Sequence, residues 1–236
     1  WNGDRFTFVN DTLGSAALGE WEPPGVWFHP DPDEWVKIDA GLLRPEGGRA
    51  LLRFVNQLEE VSLPDTVRLV AVDHPPSIEI FPDAPNRSPA QDRNQPALHA
   101  VRGLRPLASA DDDHGHSVLE ALAKIDSKYH DDFTLLPYRG LAQRHTLVLN
   151  PGRFEGERPV LVLHGWTDWG SSSSRRAAWQ AGVGPEPVSL EVPGPDGSWR
   201  IAIEDIGLAA GLPRTLVVPL HGLLPDGDHR FRLRTN

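Results

Sequence analysis

Short apolar runs that alternate with polar residues recur along the chain, each closed by Gly, Pro, Asp or Asn, and this period of two predicts strands rather than helices. Towards the N-terminus the pattern marks Arg5–Val9, Trp35–Ile38, Arg49–Val55, Val67–Val72 and Ser77–Phe81. It returns at His145–Leu149, Pro159–Leu163, Val188–Val192, Trp199–Ile203, Arg214–Val218 and His229–Arg234. Asp196-Gly197 is the clearest hairpin signal, because a tight type I′ turn needs φ > 0 at both central residues. Pro82 to Pro96 is a polar, proline-bearing loop that no central ladder accommodates. Helical spacing is confined to two places. Ser117-Val-Leu-Glu120 has the form of a capping box, followed by Leu122 and Ile125, so the longest helix is expected over Ser117–Lys124. A second helix is expected over Ser174–Ala181, stopped by Gly182.

Val36–Val55 echoes Thr146–Leu163, and Val67–Ile80 echoes Val188–Ile203, both with prolines in the linker. Together these patterns predict an all-β protein: two packed antiparallel β-sandwich-like halves with one or two short helices. The first half is placed at residues 1–96, a connecting segment with a short helix at 97–144, and the second half at 145–236. Composition agrees, since 8 Trp and 8 Phe supply a core while 23 Pro and 22 Gly demand many turns. The net charge of −10 lacks the basic footprint that nucleic acid requires, so that partner class is set aside. No apolar run reaches the roughly 18 residues that span a bilayer. With no Cys, disulfides and thiolate chemistry are excluded together. The chain opens at Trp1 without an initiator Met, which points to a processed or excised segment.

Chemistry is invited at several places. His164-Gly165-Trp166 after an apolar strand has the look of an oxyanion-side loop of an α/β-hydrolase, but no Gly-x-Ser-x-Gly elbow occurs in the sequence and Gly170 is followed by a run of serines. No catalytic set is therefore assigned. Trp166, Asp168 and Trp169 put two indoles around a carboxylate at a strand end, a pattern that suits stacking on a sugar ring or a contact with a partner domain. Asp31, Asp33 and Glu34 concentrate hard oxygen donors of the kind calcium takes, against a plain solvated acidic turn stiffened by Pro30 and Pro32. Asp113, His114 and His116 combine carboxylate and imidazole and suit a borderline metal, against an exposed acidic helix leader. No cofactor is expected, calcium being the ion that the acidic turn would take.

The opening Trp1-Asn-Gly-Asp-Arg-Phe-Thr-Phe-Val9, His29-Pro-Asp-Pro-Asp-Glu-Trp-Val-Lys-Ile38, Ala71-Val-Asp-His-Pro75, Glu204-Asp-Ile-Gly-Leu-Ala-Ala-Gly211 and Arg232-Leu-Arg-Thr-Asn236 together resemble a known pattern. It is that of the C-terminal β-rich region of secreted bacterial FG-GAP/VCBS-repeat proteins with ASPIC/UnbV-type segments, related to cartilage acidic protein. Such relatives continue past the final Arg-Thr-Asn into another strand. The resemblance implies a secreted or periplasmic accessory region and brings no catalytic residues. The expected function is a non-catalytic binding or assembly module contacting another protein domain or subunit. The alternatives are a carbohydrate-binding module using Trp166 and Trp169, and a metal-dependent or serine hydrolase.

Overall fold

Alternation becomes pairing mainly in the C-terminal part of the chain. The computed structural model describes residues 1–10, 35–55, 66–82, 98–154, 158–168, 170–207 and 211–236. Among them the strands are β1 (Ile78–Pro82), β2 (Leu98–Arg102), β3 (Ser109–Asp112), β4 (His145–Asn150), β5 (Val160–Thr167), β6 (Ser189–Pro193), β7 (Trp199–Ile203), β8 (Gly211–Pro219) and β9 (Phe231–Thr235). The α-helices are α1 (Leu119–Leu122) and α2 (Ser172–Gln180). Every ladder among the described residues is antiparallel, and nine strands stand against two short α-helices, so the fold is all-β.

Five strands form one sheet in the order β3-β4-β9-β6-β7, β5 pairs with β8, and β1 pairs with β2. The last strand in sequence is thus the central one, inserted between β4 and β6. One face of this sheet presents Ala110, Leu149, Leu190, Val192, Phe231 and Leu233, which join Val218 and Leu220 of the β8 end in a single buried cluster. Leu161 and Leu163 of β5 pack against it, so the β5–β8 ribbon closes the sheet as a sandwich. Burying each large side chain of this kind contributes roughly 1.5–3 kcal/mol. On the other face, Glu191 of β6 lies opposite Arg232 of β9 and is buried between Arg232 and Arg234.

The six C-terminal runs all become strands, β4 to β9, and Ser77–Phe81 becomes β1 shifted by one residue. Arg5–Val9, Trp35–Ile38, Arg49–Val55 and Val67–Val72 do not: among the described residues they enter no strand ladder. Residue type supplies only part of a strand, and the rest is a neighbouring strand to pair with. Conversely, β2 and β3 arise within the segment expected to be a connector, where Ser109-Ala-Asp-Asp112 carries no apolar alternation but pairs with β4.

Two local expectations are corrected. The capping box at Ser117 does not form; Ser117 bridges Asp111, the N-cap of α1 is Val118 with no side-chain bond, and the helix is a single turn. Among the described residues the longest helix is α2, capped by Ser171, whose Oγ accepts from the Ser174 N–H at 3.4 Å. The Asp196-Gly197 hairpin does join β6 to β7, but only Gly197 has positive φ (82°). The turn is wider than a type I′: Gly194 N–H donates to Ser198 O, and the Asp196 carboxylate accepts from Ser198 N–H and Oγ–H.

Candidate functional site

Two groupings of side chains emerge where loops meet the sandwich. The first stands at the end of β5. Trp166 is 49% exposed, and Tyr129 meets its ring edge-on at a centroid distance of 6.2 Å. Two residues on, the Asp168 carboxylate faces Arg139 at 3.7 Å. The backbone makes this meeting possible: Gly140 has φ of 84°, and a Cβ on Gly170 would come within 2.2 Å of the Arg139 carbonyl oxygen. Ser174 Oγ donates to that same carbonyl at 3.1 Å, tying α2 to the loop. Trp169 lies outside the described residues, so the pair of indoles is reduced to Trp166 and Asp168 with two partners the sequence did not flag. Tyr129 and Arg139 are far from β5 in sequence, and no local spacing connects them to it.

His164, on the same strand, is half-buried, and burial pushes its imidazole below the usual range. Its Nδ1 lies 3.1 Å from Thr215 Oγ1 across the β5–β8 ladder. Ser171 and Ser174 are engaged in the helix cap and the Arg139 carbonyl rather than set beside this histidine.

The second grouping is an acidic and imidazole cluster. Asp112 ends β3 on its inward side, with its side chain only 3% exposed. Its Oδ1 accepts from the backbone N–H groups of His114 (3.0 Å) and His116 (2.8 Å). Burial opposes its ionisation, but those two bonds and the neighbouring imidazoles outweigh it and hold the carboxyl below the usual range. One ligand atom each from Asp112, His116 and Asp132 lie within 4.8 Å of one another. Of the sequence candidates, His116 belongs here and the other two do not. Asp113 sits in the turn and faces His114 at 3.8 Å, both exposed. The carboxylates that converge are Asp112, selected by strand alternation, and Asp132, carried in by the segment after α1. Asp31, Asp33 and Glu34 lie outside the described residues.

Comparison with protein-family models, curated proteins and solved structures matched nothing. Among the described residues no helix is long and apolar enough to cross a membrane.

Proposed function

We propose that the chain is a non-catalytic binding or assembly module of a secreted or periplasmic bacterial protein, and that it contacts another protein domain or subunit. The observation that carries this is the series of exposed large apolar side chains on segments that enter no strand ladder among the described residues. Phe8 is 69% exposed, Phe54 59% and Val55 60%, and Leu51, Val67, Leu69 and Val70 are exposed as well. One exposed Leu is ordinary; a series of them along neighbouring stretches of chain is a mark of a contact surface. Two of the segments already sit together, since Trp1 Nε1 donates to Glu46 at 2.8 Å and Arg53 lies over the Phe6 ring at 5.9 Å. Backbone that enters no strand ladder among the described residues and carries alternating apolar side chains can accept a strand, so the fitting partner is a polypeptide that donates one.

Hydrogen exchange of residues 49–55 and 66–72 tests this, in the isolated chain and in the chain purified with its natural neighbouring domains or subunits. Rapid exchange alone and strong protection in the assembly are expected. Equal, rapid exchange in both would remove the assembly reading.

A carbohydrate-binding module is favoured as a second reading by the Trp166–Tyr129 edge contact with Asp168 and Arg139 beside it, an aromatic platform next to polar groups. Titration with oligosaccharides, read by tryptophan fluorescence in wild type and Trp166→Ala, separates the two. A response lost with Trp166 supports sugar binding, and no response at all removes it.

A further inference from the structure

We propose that Asp112, His116 and Asp132 form a binding site for one divalent transition-metal ion, with zinc as the fitting ion, and that the metal fastens the segment following α1 to the turn after β3. This goes beyond the assembly reading and does not depend on it.

The geometry supplies three donors from two separate stretches of chain. Their ligand atoms lie within 4.8 Å of one another, and His116 Nδ1 stands 3.6 Å from Asp112 Oδ2. A metal bound at about 2.0–2.2 Å from each donor draws them somewhat closer. His116 and Asp132 are exposed and able to make that adjustment, while Asp112 is fixed.

What sets the trio apart from an ordinary acidic surface is the state of Asp112. Its side chain is all but buried, and two backbone N–H groups occupy Oδ1. Oδ2 accepts no hydrogen bond among the described residues and is aimed towards His116. A buried carboxylate held rigidly on one oxygen, with the other facing an exposed imidazole at 3.6 Å, is an oriented ligand with its supporting bonds already in place. Asp132 brings a second carboxylate against it, with no Lys or Arg pairing to either among the described residues. Two like charges at this range repel, and a divalent cation between them reverses the sign of the interaction.

The donor set selects the metal. Calcium takes six to eight oxygen ligands and has little use for an imidazole. One imidazole with two carboxylates suits a borderline ion, and zinc binds more tightly than manganese to such a site in the usual order of affinities. Positions not filled by protein remain for water, as the exposure of His116 and Asp132 allows.

The consequence is mechanical. Between α1 and Asp132 the chain turns at Ser127, where φ is 63°, and Asp126 Oδ1 accepts from the Lys128 N–H at 3.1 Å. Fixing Asp132 fixes this exposed turn, together with Tyr129, which abuts Trp166. Metal binding and the aromatic platform at the end of β5 are thereby coupled through one short segment.

The test uses the full chain stripped with a chelator and titrated calorimetrically with zinc, manganese and calcium chloride. Saturation at one zinc per chain is expected, with manganese weaker and calcium weakest. His116→Gln and Asp132→Asn change exposed side chains, so folding should persist, and each should weaken zinc binding at least about ten-fold. Trypsin cleavage after Lys128 should slow on adding zinc in wild type and stay unchanged in Asp132→Asn. No zinc binding, or zinc binding that both variants retain, would overturn the site. Binding lost in the variants without any protection of Lys128 would overturn the fastening role.

Discussion

Glu191 shows how one residue can hold a fold from its outer face. It is 2% exposed on β6, bonded to Arg232, and 3.1 Å from Arg234, while Arg232 lies over the Trp199 ring at 4.9 Å. Removing Glu191 leaves two partly exposed guanidinium groups without their carboxylate, at a cost below the roughly 3–5 kcal/mol of a fully buried pair. Glu191→Ala should therefore lower the urea midpoint strongly, whereas Arg144→Ala, which breaks a more exposed pair with Glu186, should cost about 1 kcal/mol or less. Asp228 gives a pH signature. The Arg230 guanidinium, through side-chain hydrogen bonds and charge, lowers its carboxyl from 3.8 to about 2. A carboxyl whose folded pKa is depressed contributes stability above its unfolded value and loses it as pH falls through the folded one. The stability advantage of wild type over Asp228→Asn should thus be full above about pH 4 and vanish by about pH 2, and salt should shrink it because the pair is partly exposed. Equilibrium unfolding at stepped pH measures it.

Elements differ in how much of themselves they carry locally. β4, β6, β7 and β9 were legible because apolar alternation, Pro/Gly boundaries and ladder partners coincide there, as Leu190 and Leu233 do across one register. β3 was not legible: Ser109-Ala-Asp-Asp112 is a strand only because β4 offers an edge. Arg49–Val55 differs in the opposite sense, with strand-forming residues that enter no ladder among the described residues. The candidate site divides along the same line. Trp166 and His116 stood out by residue type, while Tyr129, Arg139 and Asp132 reach them through tertiary packing that no spacing encodes. Asp112, rather than its neighbour Asp113, faces inward because of alternation along β3, which residue type alone does not reveal. The loop that delivers Asp168 depends on the backbone contact at Gly170, where an added Cβ would sit 2.2 Å from Arg139 O. Gly170→Ala should lower the unfolding temperature and weaken any ligand response at Trp166 together, because the loop must move to admit the methyl. A variant with wild-type stability and response would show that the close approach is not needed.

At the scale of the whole molecule, the main buried apolar cluster draws on the C-terminal part of the chain, while the stretches before β1 carry a series of exposed apolar side chains. The cluster runs from Ala110 to Leu233 between the five-stranded sheet and the β5–β8 ribbon, and among the described residues it includes none N-terminal to β2. Phe6, Phe8, Leu51, Phe54, Val67 and Leu69 all lie before β1 and are exposed. If the first group holds the fold and the second serves contact, substitutions in the two should separate stability from association. Leu190→Ala, at a fully buried position, should cost about 2–5 kcal/mol. The paired change Phe54→Ser and Leu69→Ser should leave the unfolding temperature nearly unmoved while reducing binding of an apolar dye and any concentration-dependent association seen by sedimentation. Surface changes away from packed groups normally stay within about 0.5 kcal/mol, whereas a loss of 2 kcal/mol would shift the midpoint by several degrees in a domain of this size. A large fall in melting temperature for the pair would place these side chains in a core of their own, and the contact surface would then have to be sought elsewhere.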